Sequence, residues 1–411
     1  MNILLINHYA GSPTLGMEFR PYYLAKEWVK QGYRVCIVAA SYSHLRTNQP
    51  NVTKDFTIEI VEDIKYIWLK TPQYSSSGFK RFLSMLVFVF KLYKYRKKIV
   101  RELLPNVVIA SSTYPLDTYP ARAIAKKAKA KLCFELHDLW PLSPMLIGGY
   151  SKWHPFIMLM QAGENYACKK SDVVVSLLDN AKAHLMEHGM AAEKFHCVPN
   201  GFLMLEYLER EDIPEKHNKL ISELKHQNKL LIGYAGGINP SNAMHVLVKA
   251  AKKLTSNKNL AFVLVGKGNE CIRLNQFAKD HNLDNVFILE PIKKKAVLTL
   301  LAKMDILYIG GIKSELHKHG AAANKLTDYM LSAKPIVLSA DANENNLVTH
   351  LSCGITVPAE DVNAVTNAIE KLINCTEQER LEMGQRGFDH AYNHLNYEAL
   401  AQEFIKAMQT I

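Results

Sequence analysis

The chain lacks the features that mark several protein classes. Its seven cysteines (Cys36, Cys133, Cys168, Cys197, Cys271, Cys353 and Cys375) are scattered, with no CxxC pair. Neither a disulfide framework nor a cysteine zinc site is signalled, and a reducing compartment fits. No apolar run is long enough to span a bilayer. No basic stretch precedes Ile3-Leu4-Leu5-Ile6 and no small-residue cleavage site follows it. The N-terminus therefore reads as a buried first strand, not as a secretion signal. GxSxG, Walker A and HExxH motifs are absent, and the glycine turns lack the GxGxxG fingerprint, which leaves a dehydrogenase poorly supported. There is no DxD pair and no histidine cluster at metal spacing, so a metal-independent site is expected. There is no internal repeat and no low-complexity tract.

What remains is a long and basic chain. Its 411 residues exceed one ordinary core, so two domains are expected. Hydrophobic residues make up 48%, with charges of both signs, which indicates a globular protein, and the net charge of +11 points to an anionic partner. Short apolar runs at 3–6, 35–39, 107–110, 132–136 and 172–178 alternate with helical patterns near 18–31, 80–103, 117–129, 155–170 and 179–188. That alternation predicts βαβ units and a parallel sheet. Residues 56–69 alternate apolar and polar, as in a strand pair with one open face. The charged stretch 206–229 reads as a linker with a surface helix. The pattern restarts at Leu230, with strands expected at 261–265, 286–289, 305–309, 336–338 and 355–357. An α/β protein with two doubly wound domains follows: 1–205 and 230–389, with a final helical stretch after them.

In such sheets ligands sit at the carboxyl ends of the strands. Gly11-Ser-Pro-Thr-Leu-Gly16 follows the first strand and opens the first helix. Its place suits phosphate or substrate contact, though a flexible loop explains it equally well. Tyr234-Ala-Gly236-Gly237 takes the same place in the second domain, where two glycines let a diphosphate approach the backbone. Ser241 or Asn242 is a candidate cap for the helix after it. Val265-Gly-Lys267-Gly268 is a further turn, whose lysine either meets phosphate or is solvated. Glu135-Leu-His137-Asp138 ends another strand, with His137 a candidate for a catalytic or substrate-contacting role. Gly320-Ala-Ala-Ala-Asn324-Lys325-Leu-Thr-Asp328 starts a helix that Asn324 can cap. Its free N–H groups and Lys325 suit phosphate, and Asp328 one turn later suits a sugar hydroxyl. A capped core helix with solvated charges is the plainer reading. Residues 79–98 place aromatic and basic side chains around a short apolar core, which suits a helix in an anionic membrane interface.

Together these motifs resemble the GT-B glycosyltransferases of family 4, retaining and nucleotide-sugar-dependent. The carriers are Gly11–Gly16 with Met17-Glu18-Phe-Arg20, Glu135–Asp138, Val198-Pro-Asn-Gly201, Tyr234–Gly237, and Asn324–Met330 with Lys334-Pro335. Asn7–Pro13, Met17–Ala25 and Ser41–Arg46 resemble a narrower group, the bacterial transferases of O-antigen and capsule assembly that include the L-fucosamine transferases. The resemblance implies two facing Rossmann-like domains with a deep cleft and a C-terminal helix crossing back, so that 390–411 packs on the first domain. It implies a UDP-sugar co-substrate, no metal or other cofactor, and no nucleic-acid partner. Asp328 matches the second acid of the family's E-x7-E motif. The first acid would fall on Gly320, a departure, and Glu315 is the nearest replacement. The implied catalytic set is His137, Lys325 and Glu315. The implied donor set is Gly16, Gly236, Gly237, Lys267, Ile292, Asn324, Leu326 and Asp328. The acceptor set is Glu18, Arg20, His44, Arg46 and Asp138. A polyprenyl-diphosphate-linked saccharide would be the acceptor, met by a cytoplasmic protein lying on the inner membrane face through 79–98. A nucleotide-sugar epimerase on this fold, or a non-catalytic nucleotide-sugar-binding subunit, would share most of these features.

Overall fold

The computed structural model describes residues 1–74, 78–320, 324–341 and 346–409. They form two compact units: Met1–Asn200 with the segment from Tyr397 onward, and Gly201–Asn396.

The first unit holds eight strands: β1 (Asn2–Ile6), β2 (Arg34–Ala40), β3 (Thr57–Val61), β4 (Ile64–Leu69), β5 (Val107–Ala110), β6 (Lys131–Leu136), β7 (Val173–Ser176) and β8 (Phe195–Cys197). Their order is β3-β4-β2-β1-β5-β6-β7-β8. All pairs are parallel except β3 with β4. The central strands are apolar runs because helices cover both faces and leave no side exposed to water. β3 is the edge, and there Ile58 and Ile60 are exposed while Glu59 accepts a hydrogen bond from Trp68 Nε1 at 2.7 Å. The Glu62-Asp63 turn that joins β3 to β4 has positive φ at both residues, as a tight hairpin requires.

The second unit carries a parallel sheet of β9 (Leu230–Ala235), β10 (Leu260–Val265), β11 (Val286–Leu289), β12 (Ile306–Gly310), β13 (Ile336–Ser339) and β14 (Gly354–Val357). Their order is β11-β10-β9-β12-β13-β14. Two α/β units of this kind, each with a parallel sheet sandwiched between helices, match the fold class expected from the sequence.

The boundaries differ from those expected. Residues 206–229 are not a free linker: Ile213, Ile221 and Leu224 are buried in the core beneath the second sheet. Helix Glu215–His226 spaces His217, Ile221 and Leu224 at i, i+4 and i+7, which puts all three on its inner face. Helix Glu377–His394 also stays with the second unit, where Ala391 and Leu395 join the same core. Only the helix Tyr397–Gln409 belongs to the first. There Trp28 Nε1 donates to the Ala401 carbonyl at 3.0 Å, and its ring meets Phe404 edge-on at 5.2 Å.

Candidate functional site

In the first unit the polar groups gather at the carboxyl ends of β1, β5 and β6, and Glu135 is their hub. It is fully buried and sits on β6. One carboxylate oxygen accepts from Arg20 Nε at 2.9 Å. The other accepts from Ser111 Oγ at 2.6 Å and lies 3.2 Å from His137 Nε2. Burial alone would raise the Glu135 carboxyl, but the Arg20 guanidinium and the His137 ring overcome it and hold it at about 2. Because His137 Nε2 faces an ionised oxygen, it carries a proton. Its Nδ1 is then the nitrogen left to accept from a substrate. Asn7 braces the arrangement by donating to the Ser111 carbonyl at 2.6 Å.

The structure corrects several acceptor assignments. Arg20 is 1% exposed, and its remaining donors go to the carbonyls of Val198 (2.7 Å) and Pro199 (2.6 Å). It pins the Val198–Gly201 turn to the sheet and cannot reach a ligand. Arg46 is buried too, donating to the carbonyls of Ala10 (2.8 Å) and Ala40 (2.9 Å) and lying over Trp68. Burial lowers its pKa to about 10. Asp138 organises its own turn, accepting from Leu139 N at 2.8 Å and Ser143 Oγ at 2.5 Å. His44 is half-buried against Tyr9 and Tyr74, with Nδ1 3.2 Å from Tyr74 Oη. Glu18 is half-buried, and among the described residues its carboxylate has no partner. Of the acceptor set, Glu18, His44 and Asp138 keep half-buried side chains, the two Asp138 bonds both falling on Oδ1.

Gly16 closes its own loop. It has φ +99°, bridges to Ser12 and Arg46 through its backbone, and a Cβ there would lie 2.7 Å from Thr47 N. The Gly11–Gly16 loop is accordingly a tight one, with Gly11 N donating to the Glu18 carbonyl at 2.8 Å.

In the second unit the turn after β9 faces a lysine. Gly236 has φ +151°, and a Cβ on it would lie 2.7 Å from Lys325 Cε. The positive φ favours glycine there, and any side chain would push the end of the lysine aside. Lys325 Nζ donates to Tyr234 Oη at 3.0 Å and to Asn242 Oδ1. Tyr234 Oη in turn donates to the Gly237 carbonyl at 2.5 Å. Both partners of Lys325 are neutral, and burial lowers its pKa. Asn242 is thus a lysine clamp and not a helix cap: helix Met244–Lys253 begins after Ala243, with no side-chain cap. Gly266 backs the turn, since a Cβ there would sit 1.8 Å from the Gly236 carbonyl oxygen.

The other donor residues divide. Asp328 is half-buried and forms an ion pair with Lys294. Leu326 and Ile292 pack against the core below the sheet. Lys267 is exposed. Glu315 is exposed and bonded to Lys318 at 2.7 Å. Helix Asn324–Met330 begins where expected, but the capping role of the Asn324 side chain lies outside the described residues, as do Ala321–Ala323. Ser111 was not anticipated, and Asn7, Tyr234 and Asn242 were named only as motif members or a cap candidate. The run Ser111-Ser112-Thr113 at a strand's carboxyl end was the available signal for the first. A further correction concerns histidine: His184 and His188 stand four residues apart and converge on Glu164. Histidines at metal spacing are therefore present.

The family models match each unit in turn. Residues 15–202 match the Glycosyltransferase Family 4 model, and residues 215–390 match Glycosyl transferases group 1. The chain is built of GT-B glycosyltransferase domains. Among solved structures, it is similar to the sucrose-phosphate synthase of Thermosynechococcus elongatus at 15% identity and TM-score 0.68, covering 100% of this chain and 98% of that one. Anabaena Alr3699/HepE in complex with UDP gives 15% identity and TM-score 0.68 over 100% of both chains. The E. coli trehalose-6-phosphate protein bound with UDP-2-fluoro glucose gives 12% and 0.71, over 100% of this chain and 99% of that one. At these identities the likeness shows the fold alone. No curated protein sequence matches the chain.

Proposed function

We propose that this glycosyltransferase moves a sugar from UDP to a lipid-linked saccharide of cell-surface polysaccharide, with retention and with no metal in the reaction. The observation that carries the donor half is Lys325, clamped by Tyr234 and Asn242 over the Gly236 turn. As the glycosidic bond breaks, charge develops on the diphosphate leaving group. A preorganised ammonium whose partners among the described residues are neutral stabilises that charge without reorganising. Asp328 would accept from the ribose, exchanging Lys294 for the hydroxyls. His137, oriented through Nε2, would offer Nδ1 to the reacting sugar. Glu18, His44 and Asp138 are the acceptor candidates that remain. UDP is favoured because Alr3699/HepE was solved with UDP and with UDP-glucose. The O-antigen or capsule acceptor, and an N-acetylated deoxyhexosamine as the sugar, rest on the sequence resemblance.

The membrane half rests on helix Phe79–Leu103. Among the described residues no helix is long and apolar enough to cross a membrane. This one buries Met85, Phe88, Leu92 and Ile99 and turns Phe79, Leu83, Leu86 and Phe90 outward. Exposed Lys94, Lys97 and Arg101 continue the same stripe. Phe82 meets Phe156 at 5.5 Å, and Phe156 in turn meets the exposed Tyr150 at 6.2 Å. An apolar strip ending in basic residues fits the interface of an anionic bilayer, and the inner face of the bacterial inner membrane is the location proposed.

The donor reading is tested by calorimetry with UDP. A hydrogen bond to a charged group contributes about 1.5–3 kcal/mol, so Lys325→Met should weaken UDP roughly 10- to 150-fold. Unchanged affinity would remove Lys325 from the diphosphate.

A further inference from the structure

The groups used above leave one buried polar cluster unexplained. Glu164 lies on helix Pro155–Lys170 and is fully buried. His184 lies on helix Lys182–Glu187, and His188 is that helix's C-cap residue. Residues four apart on a helix share a face, and the two rings lie 4.5 Å apart. His184 Nε2 is 2.9 Å from one Glu164 oxygen, and His188 Nε2 is 3.7 Å from the other. One ligand atom from each of the three falls within 4.8 Å of the others.

The orientation of His188 matters most. Its Nδ1 lies 2.9 Å from the acceptor Asn165 Oδ1 and 3.0 Å from the donor Gln161 Nε2, and the tautomer with its proton on Nδ1, donated to Asn165, is the one that can bind a metal through Nε2. Nε2 is then a bare lone pair directed at a carboxylate oxygen. The 3.7 Å between those two atoms leaves room for a metal ion to bind both. Gln161 Nε2 lies 2.8 Å from Glu164 Oε2, 3.0 Å from Asn165 Oδ1 and 3.0 Å from His188 Nδ1. It thus holds both the carboxylate and the amide that sets the ring. A ligating histidine whose other nitrogen is fixed by an oxygen acceptor, beside a hydrogen-bonded carboxylate, is the arrangement of a metal centre with its supporting shell. Tetrahedral zinc bonds of about 2.0–2.2 Å put ligand atoms roughly 3.3 Å apart, within a few tenths of an ångström of the separations to Glu164.

We propose that Glu164, His184 and His188 bind one divalent transition-metal ion, zinc by the chemistry of two imidazoles and a carboxylate, tying helix Pro155–Lys170 to helix Lys182–Glu187. The site is structural. It uses no residue assigned to the donor or acceptor, so it stands apart from the metal-free transfer proposed above.

The test uses the full chain, untagged and chelator-treated, titrated with Zn2+ alone. The wild type should take up one equivalent and unfold at a higher temperature with zinc than without, because an ion bound only by the native state raises the midpoint. Co2+ in its place should give visible bands of a tetrahedral site. His188→Ala and Glu164→Gln should each abolish the Co2+ bands and weaken zinc at least tenfold. Asn165→Ala, acting through the ring, should weaken it about tenfold. His394→Ala, from the separate His390–His394 pair, should leave the binding intact. Failure of the wild type to bind a stoichiometric ion overturns the proposal, whatever the variants do. So does binding that survives in both His188→Ala and Glu164→Gln.

Discussion

Glu135→Gln tests the first unit at its hub. The glutamine keeps the shape but removes the charge, leaving the Arg20 guanidinium buried with carbonyl partners alone. The carboxyl sits at about 2 in the folded chain against an ordinary 4.5. With about 1.36 kcal/mol per unit, the ionised form contributes roughly 3 kcal/mol to stability. No screening discount applies, since both side chains are buried. The figure agrees with the 3–5 kcal/mol typical of breaking one side of a buried pair. Because the folded pKa lies below the unfolded one, this stability is fully present above pH 4.5 and is lost as pH falls towards 2. The assay is urea unfolding followed by tryptophan fluorescence. All four tryptophans (Trp28, Trp68, Trp140 and Trp153) lie in the first unit, so the signal reports that unit. At pH 7 the variant should lose about 3 kcal/mol, equivalent to roughly 6–12 °C in Tm for a unit of this size. At pH 3 the gap between the two proteins should narrow. A loss below about 1 kcal/mol at pH 7, or a gap that ignores pH, would refute the electrostatic account of the hub.

Two other outcomes follow from the geometry. Gly236→Ala should weaken UDP binding measured by calorimetry while leaving the unfolding midpoint within a few degrees, because the new Cβ pushes the end of the Lys325 side chain aside. Retention of wild-type affinity would show that the lysine position is not what the nucleotide needs. For the membrane, Lys91 and Lys98 are occupied by Asp55 and by Glu102 and the Phe56 ring, so the effective charges are Lys94, Lys97 and Arg101. Replacing all three with glutamine should cost about 3 kcal/mol, or roughly 100-fold, in partition to anionic vesicles at about 1 kcal/mol each. Cosedimentation reads the change, and an unaltered bound fraction would sink the docking face.

The parallel strands were legible because a strand covered on both sides must be apolar throughout, so β1, β2 and β5 to β7 stand out as runs. The glycine turns were legible through their place after strands. The inward charges were not. In a sequence Arg20 and Arg46 look like ligand-binding cations, since nothing local reveals that carbonyls from Val198, Pro199, Ala10 and Ala40 will surround them. Helix Glu215–His226 shows the opposite error. Its charge density suggested a surface helix in a linker, although the i, i+4, i+7 spacing of His217, Ile221 and Leu224 that buries one face was there to be counted. His184 and His188 were likewise visible four residues apart. Their significance depended on Glu164, twenty residues upstream of His184, which only the fold brings beside them.

The difference between Arg20 and Lys325 explains where an anion should go. Both stand by the carboxyl end of a central strand, and both are held by several hydrogen bonds. Arg20 is paired with an ionised carboxylate, so the pair carries no net charge and has no exposed donor to offer. Lys325 is half-buried, and among the described residues its partners are a phenol and an amide. Its charge is fixed in place but not neutralised, and burial has already made that charge costly. A diphosphate arriving beside it restores what burial removed, so part of the binding free energy comes from relieving the lysine. That coupling has a measurable sign: bound UDP should raise the Lys325 pKa, and UDP affinity should fall as pH rises through the lowered free value. Lys325→Met should bind UDP weakly and with no such loss. If wild-type affinity is flat across the alkaline range where UDP itself does not titrate, the lysine is not under strain and the diphosphate is held elsewhere.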